Sequence, residues 1–175
     1  MPVGLVFYPD PRLRKSCTPV RTFDDSLREL AQQMLALMAS RRGVGLAAPQ
    51  VGVLRRLFVC NPTGEPQDAQ VYVNPEIVEL SGSVEAEEGC LSIPGINVPV
   101  RRAQRCVIRA WDLEGRPVER SAEDLTARIW QHETDHLDGV LILDRTTDTA
   151  RLAIRRALRE LESRQRTGRS RAAAR

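Results

Sequence analysis

The stretch Gln131–Gly139, QHETDHLDG, limits the architecture more than any other part of the chain. His132 and His136 are the only two histidines among 175 residues. At roughly 100° per residue, positions four apart on a helix lie about 40° from each other, so both imidazoles share one face. Glu133 points to a different part of that face and can reach a water beside a bound ion without being a ligand. This is H-E-x-x-H, the pattern of metal-assisted hydrolysis with a glutamate base. The plain alternative is a solvated helix with two incidental histidines, and it is weakened because both fall inside one motif.

A catalytic ion needs a third protein ligand and an open position. Downstream of the motif stand Asp138, Asp144, Asp148, Glu160 and Glu162, and no histidine. Upstream, Glu88-Gly89-Cys90-Leu91-Ser92 sets a cysteine between a glycine and the turn-like SIPG. A thiolate binds soft and borderline ions strongly. Cys17, Cys60 and Cys106 read instead as small buried hydrophobes. The first residues lack the charged and apolar regions of a secretory leader, so free thiols and a cytoplasmic location are expected.

A chain of this length is expected to form one domain with a real core. Leu27, Leu30, Ala31, Met34, Leu37 and Met38 recur at helical spacing, which predicts a helix over 25–41 that starts at a Ser26/Glu29 capping box and stops at Gly43. Short strands are expected at 56–60, 71–74, 77–80 and 83–87, with a hairpin from 105–112 and 117–120 around the turn LEG. A helix opened by Ser121 and ended by Gly139 carries the histidines, and another covers 150–161. The order predicts an α+β fold: one domain of short antiparallel or mixed sheets around a central HExxH helix, with helices near both termini.

That order also disposes of a competing motif. Gly43-Val44-Gly45-Leu46-Ala47-Ala48 fits the dinucleotide fingerprint G-x-G-x-x-A. Such a fingerprint must follow a strand and open a helix, and here the glycines follow a helix and lead to a strand. They are needed for a turn or a close backbone approach.

Three segments taken together resemble one known family. GVGLAAPQ (43–50), EGCLS (88–92) and QHETDHLDG (131–139) look like the signature motifs of peptide deformylase, in the same order and at similar spacing. The resemblance implies that Cys90, His132 and His136 bind a divalent ion, with water as fourth ligand. It implies that Glu133 is general base and then acid, and that the Gln50 amide and the Leu91 backbone N–H serve the oxyanion. A substrate strand would lie along Val44–Gly45, and Leu125 and Ile129 with Val44 would wall a methionine pocket. The working ion would be Fe(II), with Zn(II), Ni(II) or Co(II) as substitutes, and the substrate an N-formylmethionyl nascent polypeptide. A small HExxH peptidase would need a noncysteine third ligand. A structural zinc protein would need a fourth protein ligand such as Cys60 or Cys106.

Charge separates the end of the chain from the rest. Residues 151–175 hold nine arginines against Glu160 and Glu162, a balance of +7 that leaves −4 on the first 150 residues. Residues 1–163 are expected to form the catalytic domain, with Arg151, Arg155, Arg156 and Arg159 facing solvent. Residues 164–175 are expected to be a disordered basic tail, and residues 151–175 either to be drawn to the RNA of the ribosome surface or to be a solvated, charge-rich end. Glu88 is expected to pair with an arginine such as Arg101 or Arg102 or to remain a solvated carboxylate, and Asp135 to orient a ligand imidazole or face water. No apolar run is long enough for a membrane span.

Overall fold

The computed structural model describes residues 3–173, with side chains as far as residue 167. Helix α1 (Asp25–Ser40) is followed by β1 (Gly45–Ala47), β2 (Leu57–Cys60), β3 (Gln70–Ser81), β4 (Val84–Cys90), β5 (Ile93–Arg102), β6 (Arg105–Trp111) and β7 (Pro117–Glu123). Then come α2 (Asp124–Leu137), α3 (Ile142–Arg145), α4 (Asp148–Ala153) and α5 (Arg155–Ala173). Five strands form an antiparallel sheet in the order β1-β2-β3-β6-β7, while β4 and β5 form a separate antiparallel hairpin. The architecture is the α+β arrangement expected.

Strand β2 shows how the sheet divides the core. Successive strand side chains point to opposite faces. Phe58 and Cys60 pack with Tyr72, Ala127 and Trp130 on the α2 side, whereas Leu57 and Val59 pack with Leu27, Met34 and Met38 of α1 on the other. All four β2 side chains are fully buried, so the sheet is covered on both faces. A third cluster joins β5 (Ile93, Ile96, Val98, Val100) to Leu141, Ile142, Leu143 and Leu161, and so fixes the hairpin to the C-terminal helices.

Several boundaries differ from expectation for identifiable reasons. Residues 71–74 and 77–80 belong to one strand, bent at Asn74 (φ 48°) and Pro75, where the proline lacks an N–H and the register shifts. Ser121 lies in β7, and α2 starts at Asp124, whose N–H donates to the Gln104 carbonyl (2.8 Å). The cap of α1 is Asp24, which accepts from Leu27 N–H (3.0 Å), in place of the Ser26 box. Strand β5 was hidden behind the turn-like SIPG. The single helix expected over 150–161 is divided at Ile154 into α4 and α5.

The tail expected to be disordered from residue 164 instead continues α5 to Ala173; residues 174–175 lie outside the described residues. Arginine, alanine, glutamate and glutamine are good helix formers. Pairs one turn apart, Arg156–Glu160 (3.1 Å) and Glu162–Arg166 (3.8 Å), add to that preference.

Gly139 stops α2. Its φ is +74°, Val140 N–H reaches back to the Asp135 carbonyl (2.9 Å), and a Cβ there would stand 2.6 Å from the Arg14 carbonyl oxygen. The exposed Gly64 has a similar φ of +83° but open space around it. Gly64→Ala should therefore cost only the left-handed strain, about 1–2 kcal/mol, and Gly139→Ala should cost clearly more. Urea unfolding of both variants checks this; equal losses would mean the Arg14 contact gives way freely.

Candidate metal centre

Three side chains that could hold a metal ion converge from two elements. Helix α2 supplies His132 and His136, and Cys90 closes β4; one donor atom from each lies within 4.8 Å of the others. Cys90 Sγ is 3.3 Å from His136 Nε2. His132 Nδ1 is 3.0 Å from Glu88 Oε2, which leaves Nε2 of that ring for an ion. Burial alone would lower His132, but hydrogen bonds to Cys90 and Glu88 outweigh it and hold its pKa well above the ordinary imidazole value. His136 is held well below that value by burial and by the neighbouring His132 charge. Charging one of the two adjacent imidazoles disfavours charging the other, and a divalent ion would meet both as neutral ligands. The thiolate and two imidazoles suit an Fe(II)-, Zn(II)-, Ni(II)- or Co(II)-class ion. Cys60 and Cys106 lie in the core between sheet and α2, outside this cluster.

Glu133 stands beside the ligands without joining them. Its side chain is buried, its Oε2 has no hydrogen-bond partner among the described residues, and burial pushes its pKa up to about 7. Gly45 makes room for it, because a Cβ there would overlap the Glu133 carboxylate. Gly43 has a different reason to be glycine: a Cβ would lie 2.7 Å from Leu91 Cδ1. Both glycines serve close approach, as the order of elements implied.

Gln50 is buried in the short 3-10 turn Ala48–Val51 and held at both ends. Its Oε1 accepts from Ala47 N–H (2.8 Å), which points Nε2 at Cys90 Sγ (3.5 Å) and Ser92 Oγ (3.3 Å). The N-terminal segment laces the two loops together: Val6 N–H donates to the Gln50 carbonyl (2.7 Å), and Tyr8 N–H to the Ser92 carbonyl (2.9 Å). Nothing in the local sequence announces that role.

A cavity of about 530 Å³ joins these groups. Gln50, Cys90, Leu91, His132 and Glu133 line it, as do Val44, Gly45, Leu125 and Ile129. His136 lies behind them, almost fully buried. Every residue expected at the site is therefore in one place. Val44 and Leu125 are large apolar side chains left exposed, at 43% and 51%, on the cavity rim.

Beneath the ligands runs a buried ionic network. Glu88 takes Arg102 Nε (2.9 Å) and Nη2 (3.0 Å) as a bidentate pair, and Arg128 Nη1 (2.6 Å) as a third contact. Burial alone would raise Glu88, but hydrogen bonds from His132 and Arg102 hold it well below the usual carboxylate range. Arg128 also donates to the carbonyls of Val100 (3.0 Å) and Val84 (2.9 Å), tying α2 to both hairpin strands. Of Arg101 and Arg102, only Arg102 meets Glu88, because β5 turns it inward and turns Arg101 outward to Glu85 (3.5 Å). Asp135 does neither thing expected of it: it accepts from Arg102 (2.6 Å) and Arg145 (2.7 Å), and contacts no imidazole. Arg128 was readable in principle, since it precedes His132 by one helical turn.

Removing one partner from a buried pair leaves an uncompensated charge, which costs about 3–5 kcal/mol. Arg102→Ala should lose stability on that scale, read by denaturant unfolding, and should also weaken metal retention. An unchanged midpoint would show that Glu88 finds another counter-charge.

The family model described as polypeptide deformylase matches residues 3–152. The chain is 47% identical over 160 residues to a peptide deformylase of Alkalilimnicola ehrlichii, covering 91% of this chain and 90% of the relative. Among solved structures, a plant peptide deformylase superposes with a TM-score of 0.92 at 43% identity, covering 96% of this chain and 93% of the other. A peptide deformylase from Legionella pneumophila gives 0.88 at 44% identity, covering 94% and 98%.

Proposed function

The chain belongs to the polypeptide deformylase family, a metal-dependent hydrolase family that removes the formyl group from N-formylmethionyl polypeptides, and from that premise we propose which of its residues do the work. Cys90, His132 and His136 hold the ion, with Fe(II) the working metal and Zn(II), Ni(II) or Co(II) as substitutes. When bound, the ion supplies Lewis acidity and lowers the pKa of a water toward about 7.

The observation that carries the assignment is Glu133, a buried carboxylate with a free oxygen beside three ligands in a cavity wall. Glu133 takes a proton from the attacking water and passes it to the departing amine nitrogen, a task matched to a pKa near neutrality. Gln50 Nε2 and the Leu91 N–H donate to the oxygen on which charge develops. The substrate backbone lies along Val44–Gly45, strand against strand. The methionine side chain packs among Val44, Leu125 and Ile129. Formyl is the smallest acyl group, and a tight wall around Glu133 and Gln50 admits it while rejecting larger ones.

Formyl-Met-Ala should be hydrolysed, acetyl-Met-Ala and an internal peptide bond should not, and a chelator should abolish turnover. Cleavage of the internal bond would favour a peptidase instead. Glu133→Ala should keep its metal while turnover falls by about 10²–10⁴. Gln50→Ala should fall by about 10²–10³ with metal retained, and Cys90→Ala should lose the metal. Loss of metal in the Glu133 variant would remove its role as base.

The basic end carries a separate proposal about location. Arg151, Arg155, Arg156 and Arg159 are exposed, while Ile154, Leu158 and Leu161 pack on the hairpin cluster. Residues 151–175 bring a cytoplasmic enzyme to the RNA phosphates of the ribosome, with an affinity that falls steeply with salt. Deleting residues 164–175 should weaken ribosome co-sedimentation at low salt and leave hydrolysis of a short formyl peptide intact. Equal sedimentation would make the segment a solvated end.

A further inference from the structure

The cavity opens past Arg41 and Arg42. Both side chains are exposed, and neither has an ion-pair partner among the described residues. Two arginines after a helix suit its dipole, but the backbone adds a second fact. Arg42 N–H meets the Ala39 carbonyl (3.0 Å) and Gly43 N–H the Met38 carbonyl (2.9 Å), which makes Arg42 the left-handed residue of a Schellman cap, at φ +54°. Glycine is the usual occupant of that position. Here glycine comes one residue later, and the strained position carries a guanidinium on the cavity rim.

The direction in which a substrate leaves follows from burial. Gly45 lies against Glu133, at the reacting end. Residues 46–50 beyond it are buried, whereas Val44, Arg42 and Arg41 are exposed, so an extended chain along this edge runs outward toward the two arginines. An extended substrate advances about 3.3 Å per residue, so the two arginines, set on the helix cap before Val44, are met by residues beyond the second, at about the third and fourth. The exposed carboxylate Glu87 stands on the hairpin wall of the same cavity, so the field depends on position and is not a general pull on anionic peptides.

We infer that Arg41 and Arg42 form a subsite for substrate carboxylates, favouring aspartate or glutamate at the third and fourth positions of the nascent chain. This rests on the deformylase reading and adds a specificity to it. The test uses amidated peptides, formyl-Met-Ala-X-X-amide with X as Asp, Asn or Lys, so that no terminal carboxylate contributes. The metal-loaded wild-type enzyme should prefer Asp over Asn by about three- to tenfold in kcat/KM at low salt. The difference should lie in KM and shrink at high salt. In R41A/R42A the Asp/Asn ratio should approach one, R41K/R42K should keep most of it, and R41E/R42E should turn the preference toward Lys. Equal turnover of Asp and Asn peptides by the wild type, or a ratio that survives in R41A/R42A, overturns the subsite. Failure to deformylate any peptide is a different result and overturns the functional reading itself.

Discussion

The hairpin that ends in Cys90 shares no sheet with the strands on which α2 packs, so the distance from thiol to imidazoles is not fixed by a β-ladder. Glu88 and its arginines fix it. One carboxylate holds His132 Nδ1 on α2 and Arg102 on β5, while Arg128 of α2 reaches the carbonyls of Val84 and Val100. Such a network stabilises little relative to apolar packing, because desolvating its charges is costly. What it gives is a single registration of the two elements, which metal ligation requires to within a fraction of an ångström.

The rest of the site hangs on that registration. With Cys90 placed, Gln50 has a fixed partner for its amide, and the N-terminal segment closes over both loops through Val6 and Tyr8. With His132 placed, Glu133 is confined between α2 and Gly45, where only a residue without Cβ leaves it room. Cys90 thus sits at the end of β4, Glu133 on α2 and Gln50 on a 3-10 turn.

The sequence carried the site more fully than the fold. Helical spacing puts His132 and His136 on one face whatever surrounds them, and short motifs marked Cys90 and Gln50. Tertiary partners were less legible. Alternation could say that only one of Arg101 and Arg102 faces inward, but not which, until the register with Glu85 and Glu88 was known. Asp135 lies on the ligand helix, yet its partners Arg102 and Arg145 come from β5 and α3. The bend at Asn74 depends on hydrogen bonds to Val20, fifty-four residues away (2.7 and 2.9 Å), which no local pattern announces.

The central claim is that α2 and the hairpin together present one thiolate and two imidazoles to a single ion and leave a position open. X-ray absorption on the zinc-loaded protein reads this directly. The account predicts one sulfur at about 2.3 Å, two imidazole nitrogens at about 2.0–2.1 Å and one exchangeable light-atom ligand. A second sulfur, or four protein ligands with no exchangeable position, would contradict it.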